Sequence, residues 1–155
     1  MGKMKNIIMI YTDGACSGNQ SKKNFGGWGA VLKFGGKTKE ISGGEADTTN
    51  NRMELTACIE GLKALKRDDI DVEIFSDSSY IVNCINKEWY RTWRKNGWKT
   101  SKKQSVENID LWKELLKLID GKSVKFTKVK GHSGIELNER ADELARMGAE
   151  KIRKG

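Results

Sequence analysis

Ile7-Ile8-Met9-Ile10-Tyr11 is an unbroken apolar run, rich in β-branched residues and ended by Thr12-Asp13-Gly14. That pattern predicts a strand buried on both faces. A second run, Val72-Glu73-Ile74-Phe75-Ser76-Asp77, repeats it and again closes on a hydroxyl followed by Asp. Between the two the periodicity changes. The turn-rich stretch from Gly14 to Gly27 leads into a predicted strand from Trp28 to Phe34, a Gly35-Gly36 hairpin turn and a partner strand from Lys37 to Ser42, which Gly43-Gly44 closes. Thr48, Thr49, Asn50 and Asn51 are capping residues for a helix that runs to about Lys66. Its inward positions are Ala57, Cys58, Gly61, Leu62 and Leu65, at helical spacing.

Downstream, Ser78 or Ser79 caps a helix with Ile81, Cys84, Ile85 and Trp89 on one face. Another helix carries Ile109, Trp112, Leu116 and Ile119 inward, and Ser123 to Val129 reads as a strand. The flexible loop Gly131-His132-Ser133-Gly134 precedes a last helix, Leu137 to about Lys151, which packs Ala141, Leu144, Ala145 and Gly148. The order β-β-β-α-β-α-α-β-α predicts an α/β (α+β) fold with a mixed, partly parallel sheet and helices on its faces. If the first and fourth strands pair in parallel, Asp13 and Asp77 emerge at one sheet edge.

That juxtaposition sets the chemistry. Neighbouring carboxylates repel unless a cation lies between them. Glu54 precedes Ala57 by three positions and Cys58 by four, which puts a carboxylate on the buried stripe of the first helix. Asp142 sits at the margin of the small-residue stripe of the last helix. Asp13, Glu54, Asp77 and Asp142 are thus candidate hard-oxygen ligands, suited to Mg²⁺ or Mn²⁺ rather than zinc. Such a set can hold two ions roughly 3.5–4 Å apart, one activating water and one stabilising the leaving oxygen of a phosphodiester. Gly14, next to Asp13, lets another chain or a ligand approach closely.

Charge points to the substrate. The chain of 155 residues, long enough for one domain with a real core, carries 29 Lys+Arg against 21 Asp+Glu, a net +8 that favours a polyanionic partner. The excess is concentrated in 87–103, where Lys87, Arg91, Arg94, Lys95, Lys99, Lys102 and Lys103 interleave with Trp89, Trp93 and Trp98. That mixture suits backbone tracking with aromatic contacts; its structural alternative is a solvated hairpin whose tryptophans serve the core. His132, the sole histidine, is placed to accept or shuttle a proton beside a phosphodiester. Asn50 and Asn51, near Glu54, can bond a ribose 2′-OH. Cys16, Cys58 and Cys84 lack metal-ligand spacing and read as reduced thiols. No apolar run reaches membrane-spanning length, and the one after Lys3 and Lys5 is too short for a signal peptide, so a cytoplasmic protein is expected.

The motifs Tyr-Thr-Asp13-Gly-Ala-Cys-Ser-Gly-Asn, Thr-Thr-Asn-Asn-Arg-Met-Glu54-Leu, Ser-Asp77-Ser, Gly-Trp-Lys-Thr, Asn-Ile-Asp-Leu-Trp, Val-Lys-Gly-His132-Ser-Gly and Asn-Glu-Arg-Ala-Asp142-Glu-Leu-Ala, in this order, resemble type 1 ribonuclease H of the bacterial kind. The resemblance runs from Met9 to about Ala149. It implies a five-stranded mixed sheet, three antiparallel strands then two parallel. It also implies Mg²⁺-dependent endonucleolytic cutting of the RNA strand of RNA–DNA hybrids, two ions per site with Mn²⁺ as an alternative, leaving 3′-hydroxyl and 5′-phosphate ends. Asp13, Glu54, Asp77 and Asp142 match the family's metal-binding carboxylates, and His132 its loop histidine. Residues 87–103 match its basic protrusion, with Trp89, Trp93 and Ser101 where the DNA strand is gripped. Thr49 and Asn108 match a DNA-phosphate pocket, and Cys16, Asn19 and Asn50 the positions that read the RNA, with Asn51 beside them. The expected substrate contacts are Gly14, Cys16, Asn19, Thr49, Asn50, Asn51, Ser79, Trp89, Trp93, Lys95, Lys99, Ser101 and Asn108.

The chain departs from the family's pattern in a longer, proline-free loop after Asn19 carrying Lys22 and Lys23, in Asp47 where a basic residue often stands, and in Ser79 for a longer side chain. A monomer without an obligate protein partner or a separate hybrid-binding module is expected. Two other readings use the same residues: a non-catalytic hybrid-binding module, and a DNA-cutting recombinase. The intact acid set disfavours the first, since clustered negative charge beside a phosphate backbone weakens a pure binder. The single-domain length and the Asn50-Asn51 pair disfavour the second.

Overall fold

β1 (Ile7–Ser17) is the central strand of a five-stranded sheet ordered β3-β2-β1-β4-β5. The computed structural model describes residues 7–17, 24–66, 69–100, 102–130 and 136–155. β1 pairs antiparallel with β2 (Phe25–Phe34), which pairs antiparallel with β3 (Lys37–Ala46) across the Gly35-Gly36 turn. On its other side β1 runs parallel to β4 (Asp71–Ser76), and β4 parallel to β5 (Val124–Lys128). The helices are α1 (Asn50–Lys63), α2 (Ser79–Asn86), α3 (Trp89–Lys95), α4 (Ile109–Ile119) and α5 (Glu136–Lys154). The expected mixed sheet, antiparallel then parallel, is the one observed.

One face of the sheet carries the main core. Ile8, Ile10, Ile74 and Phe126 meet Leu55, Cys58, Ile59 and Leu62 of α1, Ile81 and Cys84 of α2, and Trp112 and Leu115 of α4. Trp112 is fully buried, and its indole N–H donates to Tyr80 Oη at 2.8 Å, so the one polar atom of the ring is satisfied. α5 crosses the opposite face over β1, β2 and β3, where Val31, Ala141 and Leu144 form a smaller cluster.

Several expectations need correction. β1 is fully buried on one face only: Ile8, Ile10 and Thr12 are buried while Ile7, Met9 and Tyr11 are half-buried, because α5 leaves part of that face open. The strand does not stop at Asp13 but continues to Ser17 through its pairing with β2, which itself starts at Phe25 rather than Trp28. β3 likewise runs through Gly43-Gly44 to Ala46. Those glycines do not end the strand: a Cβ on Gly44 would lie 2.6 Å from the Gly148 carbonyl oxygen of α5 and one on Gly43 2.7 Å from the Trp28 ring, while Gly148 in turn lets α5 press on the Gly43 carbonyl. α1 ends at Lys63 rather than near Lys66. Trp89 does not extend the α2 face: Glu88 adopts φ 56°, the helix stops at Asn86, and Trp89 opens the additional helix α3. β5 and α5 each differ from expectation by a few residues at their ends.

Candidate active site

Asp13 and Asp77 are brought together by strand register. The last parallel rung of β1 with β4 is Tyr11 with Phe75, and each acid follows two positions later. Thr12 ties the two strands at that point: its hydroxyl donates to the Phe75 carbonyl at 3.2 Å and lies 3.8 Å from Cys58 Sγ on α1. Beyond it β4 ends at Ser76, whose side-chain oxygen accepts the Ser78 N–H at 3.1 Å; Ser78 then caps α2 by accepting the Ile81 N–H at 3.2 Å. Asp77 is therefore presented from a turn pinned at both ends.

Glu54 arrives from α1. The N-cap is Thr49, whose side chain accepts the Arg52 N–H at 3.1 Å, and Glu54 occupies the buried stripe at 4% exposure. α1 reaches β1 because position 14 is glycine: a Cβ there would stand 2.5 Å from the Glu54 nitrogen and 2.7 Å from the Met53 carbonyl carbon. The close approach that Gly14 permits is thus first of all by the protein's own helix. The Gly14 N–H donates to Asp13 Oδ1 at 2.9 Å and also to Glu54 Oε1, so one amide orients two acids.

Asp13, Glu54 and Asp77 each offer an oxygen within 4.8 Å of the others. Asp142, on α5, lines the same recess of about 180 Å³ together with Asp13, Gly14, Asp77, Asn138 and Glu139, and pairs with Arg146 at 3.2 Å. Burial pushes Asp13 up to about 6; Asp77 and Asp142 add to the rise, while bonds with Glu54 and the Gly14 N–H oppose it. Burial, followed by the bond and charge of Asp13 and the charge of Asp77, holds Glu54 well above the usual carboxylate range. Glu54 Oε2 is buried with no hydrogen-bond partner among the described residues. An orphaned buried carboxylate oxygen is costly, and a divalent cation is the partner this donor set fits.

A neighbouring hollow of about 360 Å³ shares Asp13, Gly14, Glu54 and Asp77 and is rimmed by Asn50, Asn51, Ser78, Ser79 and Tyr80. A larger groove of about 630 Å³ follows α5 past Ser42 and Met147 and holds none of the four acids. Cys16 lies behind the α1 N-terminus, its thiol 3.7 Å from the Thr48 carbonyl. Thr49 and Asn108 are linked through Arg52, which donates to Asn108 Oδ1 at 3.3 Å and forks onto Asp110 at 3.2 and 3.0 Å. All three cysteines are free, and burial pushes the Cys58 and Cys84 thiols to about 12, which keeps them protonated and inert.

The basic segment projects from α3 and the hairpin after it. Lys95, Lys99 and Trp89 are exposed. Trp93 is half-buried and meets Trp112 edge-on at 5.6 Å, so it belongs partly to the core, as does Trp98. Val106, 4% exposed, donates its N–H to the Trp98 carbonyl at 3.0 Å and anchors the hairpin base. Asn19, Ser101 and His132 lie outside the described residues. Sequence reasoning missed Asn138, buried in the recess wall, and Tyr80 on the opposite rim. Asn138 carried a usable signal, since it precedes Asp142 by one helical turn.

The RNase H family profile matches residues 5–150. The chain belongs to the RNase H family. It is 57% identical over 149 residues to the ribonuclease H of Syntrophomonas wolfei subsp. wolfei, covering 96% of this chain and 99% of that protein. It is 55% identical over 148 residues to that of Chlorobium phaeovibrioides, again covering 96% and 99%. Among solved structures, LC9-RNase H1, described as a type 1 RNase H with the type 2 active-site motif, superposes with a TM-score of 0.83 at 30% identity over 98% of this chain and 76% of that one. LC11-RNase H1, solved in complex with an RNA/DNA hybrid, gives a TM-score of 0.66 at 26% identity over 94% and 99%. Family and acid cluster together indicate a divalent-metal site. No helix among the described residues is long and apolar enough to cross a membrane.

Proposed function

We propose that this protein is a Mg²⁺-dependent endonuclease that hydrolyses the RNA strand of RNA–DNA hybrids, largely without regard to sequence, leaving 3′-hydroxyl and 5′-phosphate ends. The observation that carries the reading is the convergence of Asp13, Glu54 and Asp77, distant in sequence, to within 4.8 Å, in a chain of this family. Asp13, Glu54, Asp77 and Asp142 would hold the metal. Once bound, divalent ions supply charge neutralisation and a water acidified enough to attack a phosphodiester.

The chain's own groups do the rest. The Gly14 N–H fixes the carboxylates of Asp13 and Glu54, so their lone pairs are aimed before any ligand arrives. Thr12 fixes the strand spacing beneath them. Asn50, Asn51 and Ser79, on the rim, offer donors and acceptors to the 2′-hydroxyls that separate RNA from DNA, with Cys16 and Asn19 assigned the same strand. Thr49 and Asn108, coupled through Arg52, receive a DNA phosphate. Exposed Trp89, Lys95 and Lys99, the open side of Trp93, and Ser101 grip the DNA strand. His132 takes the proton or helps product leave. The protein acts as a monomer in the cytoplasm, with the hybrid as its partner.

The test is cleavage of an end-labelled RNA paired to DNA, with Mg²⁺ and with chelator. Asp77→Asn removes charge but little volume, so it should abolish cleavage while hybrid affinity stays within about threefold. Near-normal turnover of that variant in Mg²⁺ would sink the proposal, as would equal cleavage of DNA–DNA duplexes.

A further inference from the structure

Asn24, the residue just before β2, plays the part of a strand residue with its side chain. Its Oδ1 accepts the Thr48 N–H at 2.8 Å, its Nδ2 donates to the Thr48 carbonyl at 3.0 Å, and its own carbonyl accepts the Asp47 N–H at 3.0 Å. These bonds carry the β2–β3 pairing past its last rung, Phe25 with Ala46. They span Asp47, whose φ of 53° swings the chain from the sheet edge toward α1. Thr48 is 3% exposed, and its carbonyl also accepts from Cys16 Sγ at 3.7 Å. Thr49, next in line, is the α1 N-cap. A single residue, Thr48, therefore joins the end of β1, the start of β2 and the first turn of α1.

Three of the side chains assigned to the RNA stand on either side of that joint, Cys16 on the strand and Asn50 and Asn51 on the helix. The geometry points to Asn24 as a positioning residue for the substrate: it holds the first turn of α1 in register with the end of β1, so that both groups meet the same stretch of a hybrid. This rests on the hybrid-cleaving function proposed above. Removing the Asn24 amide leaves the Thr48 N–H and C=O without those partners in a buried place, and the turn shifts to recover them. Glu54 lies farther along α1 and is held independently by the Gly14 N–H and by the packing at Gly14. Loss of Asn24 should therefore weaken binding and spare the chemical step.

Asn24→Ala and Asn24→Asp test this; the second keeps an acceptor for the Thr48 N–H but sets an oxygen against the Thr48 carbonyl. KM for the hybrid should rise about five- to tenfold with kcat within about twofold, the scale of one net hydrogen bond. Hybrid Kd in chelator, where nothing is cut, should rise by the same factor. A purely structural role lowers the melting temperature without that split, and unchanged KM and Kd in a folded variant overturn the proposal. A fall in kcat at constant KM also overturns it, because it ties the joint to the acids instead. Should Asn24→Ala fail to fold, Asn24→Asp decides by the same criteria. A wild-type protein that binds hybrid but never cuts it refutes the nuclease reading alone, and the Kd arm still judges Asn24.

Discussion

In chelator the recess holds crowded carboxyl groups with no cation to offset their charge, so taking away one charge should make the fold more stable. Asp13→Asn is the cleanest perturbation, because the amide is nearly isosteric and its Oδ1 still accepts the Gly14 N–H that Asp13 accepts at 2.9 Å. Burial raises the Asp13 carboxyl from its ordinary 3.8 to about 6. A folded-state value above the unfolded one means that this group's contribution is intact below the unfolded pKa and is lost as pH climbs through about 6. The full difference corresponds to about 3 kcal/mol, which solvent and salt at this partly open site reduce to roughly 1–2 kcal/mol. For a chain of this size that is a melting temperature higher by roughly 2–8 °C in chelator at about pH 8. The gain should shrink as pH falls from about 7 toward 4, where wild-type Asp13 is itself neutral when folded. Millimolar Mg²⁺ should reverse the ranking, since the wild-type protein gains linkage stabilisation that the variant has lost. Circular-dichroism melts at two pH values, with chelator and with Mg²⁺, measure all of this. An Asn variant that melts below wild type in chelator at the higher pH, or whose gain is the same at both, would refute the reasoning.

Gly14→Ala should cost about 1–3 kcal/mol in urea unfolding and most of kcat, because the new Cβ at 2.5 Å from the Glu54 nitrogen pushes α1, and Glu54 with it, away from β1. Wild-type kcat in that variant would show that the close approach is incidental. Lys95→Ala and Lys99→Ala should each raise KM at moderate salt and flatten the slope of log affinity against log salt by about 1, leaving kcat unchanged. An unaltered slope removes these lysines from the phosphate contacts.

Much of this geometry was legible in the sequence because it is periodic. Helical spacing put Glu54 on the inward stripe of α1, and the repeated strand-then-Asp pattern set Asp13 beside Asp77 once β1 and β4 paired in parallel. What escaped was decided by contacts between distant segments. The Gly43-Gly44 pair looks locally like a turn and is instead a place where α5 presses on strand backbone at Gly148. The α2 stripe continues in pattern to Trp89, yet Glu88 turns left-handed at φ 56° and Trp89 is left 39% exposed. Trp93 and Trp98 lie in a segment whose charge suggests an open surface, but Trp112 and Val106 draw them partly inward. Asn24 carries no periodicity at all, and its pairing with Thr48 is visible only when residues 24 positions apart in sequence meet.

β1 has one neighbour running against it and one running with it, and it outlasts the second: its pairing with β4 stops at Tyr11 while its pairing with β2 goes on to Ser17. The acids gather at the notch this leaves, contributed by pieces of chain that share no local contacts. The three closest acids meet only where β1, β4 and α1 are assembled together. Divalent-ion affinity should vanish with global unfolding in one step, making ion uptake a gauge of how much of the population is wholly native.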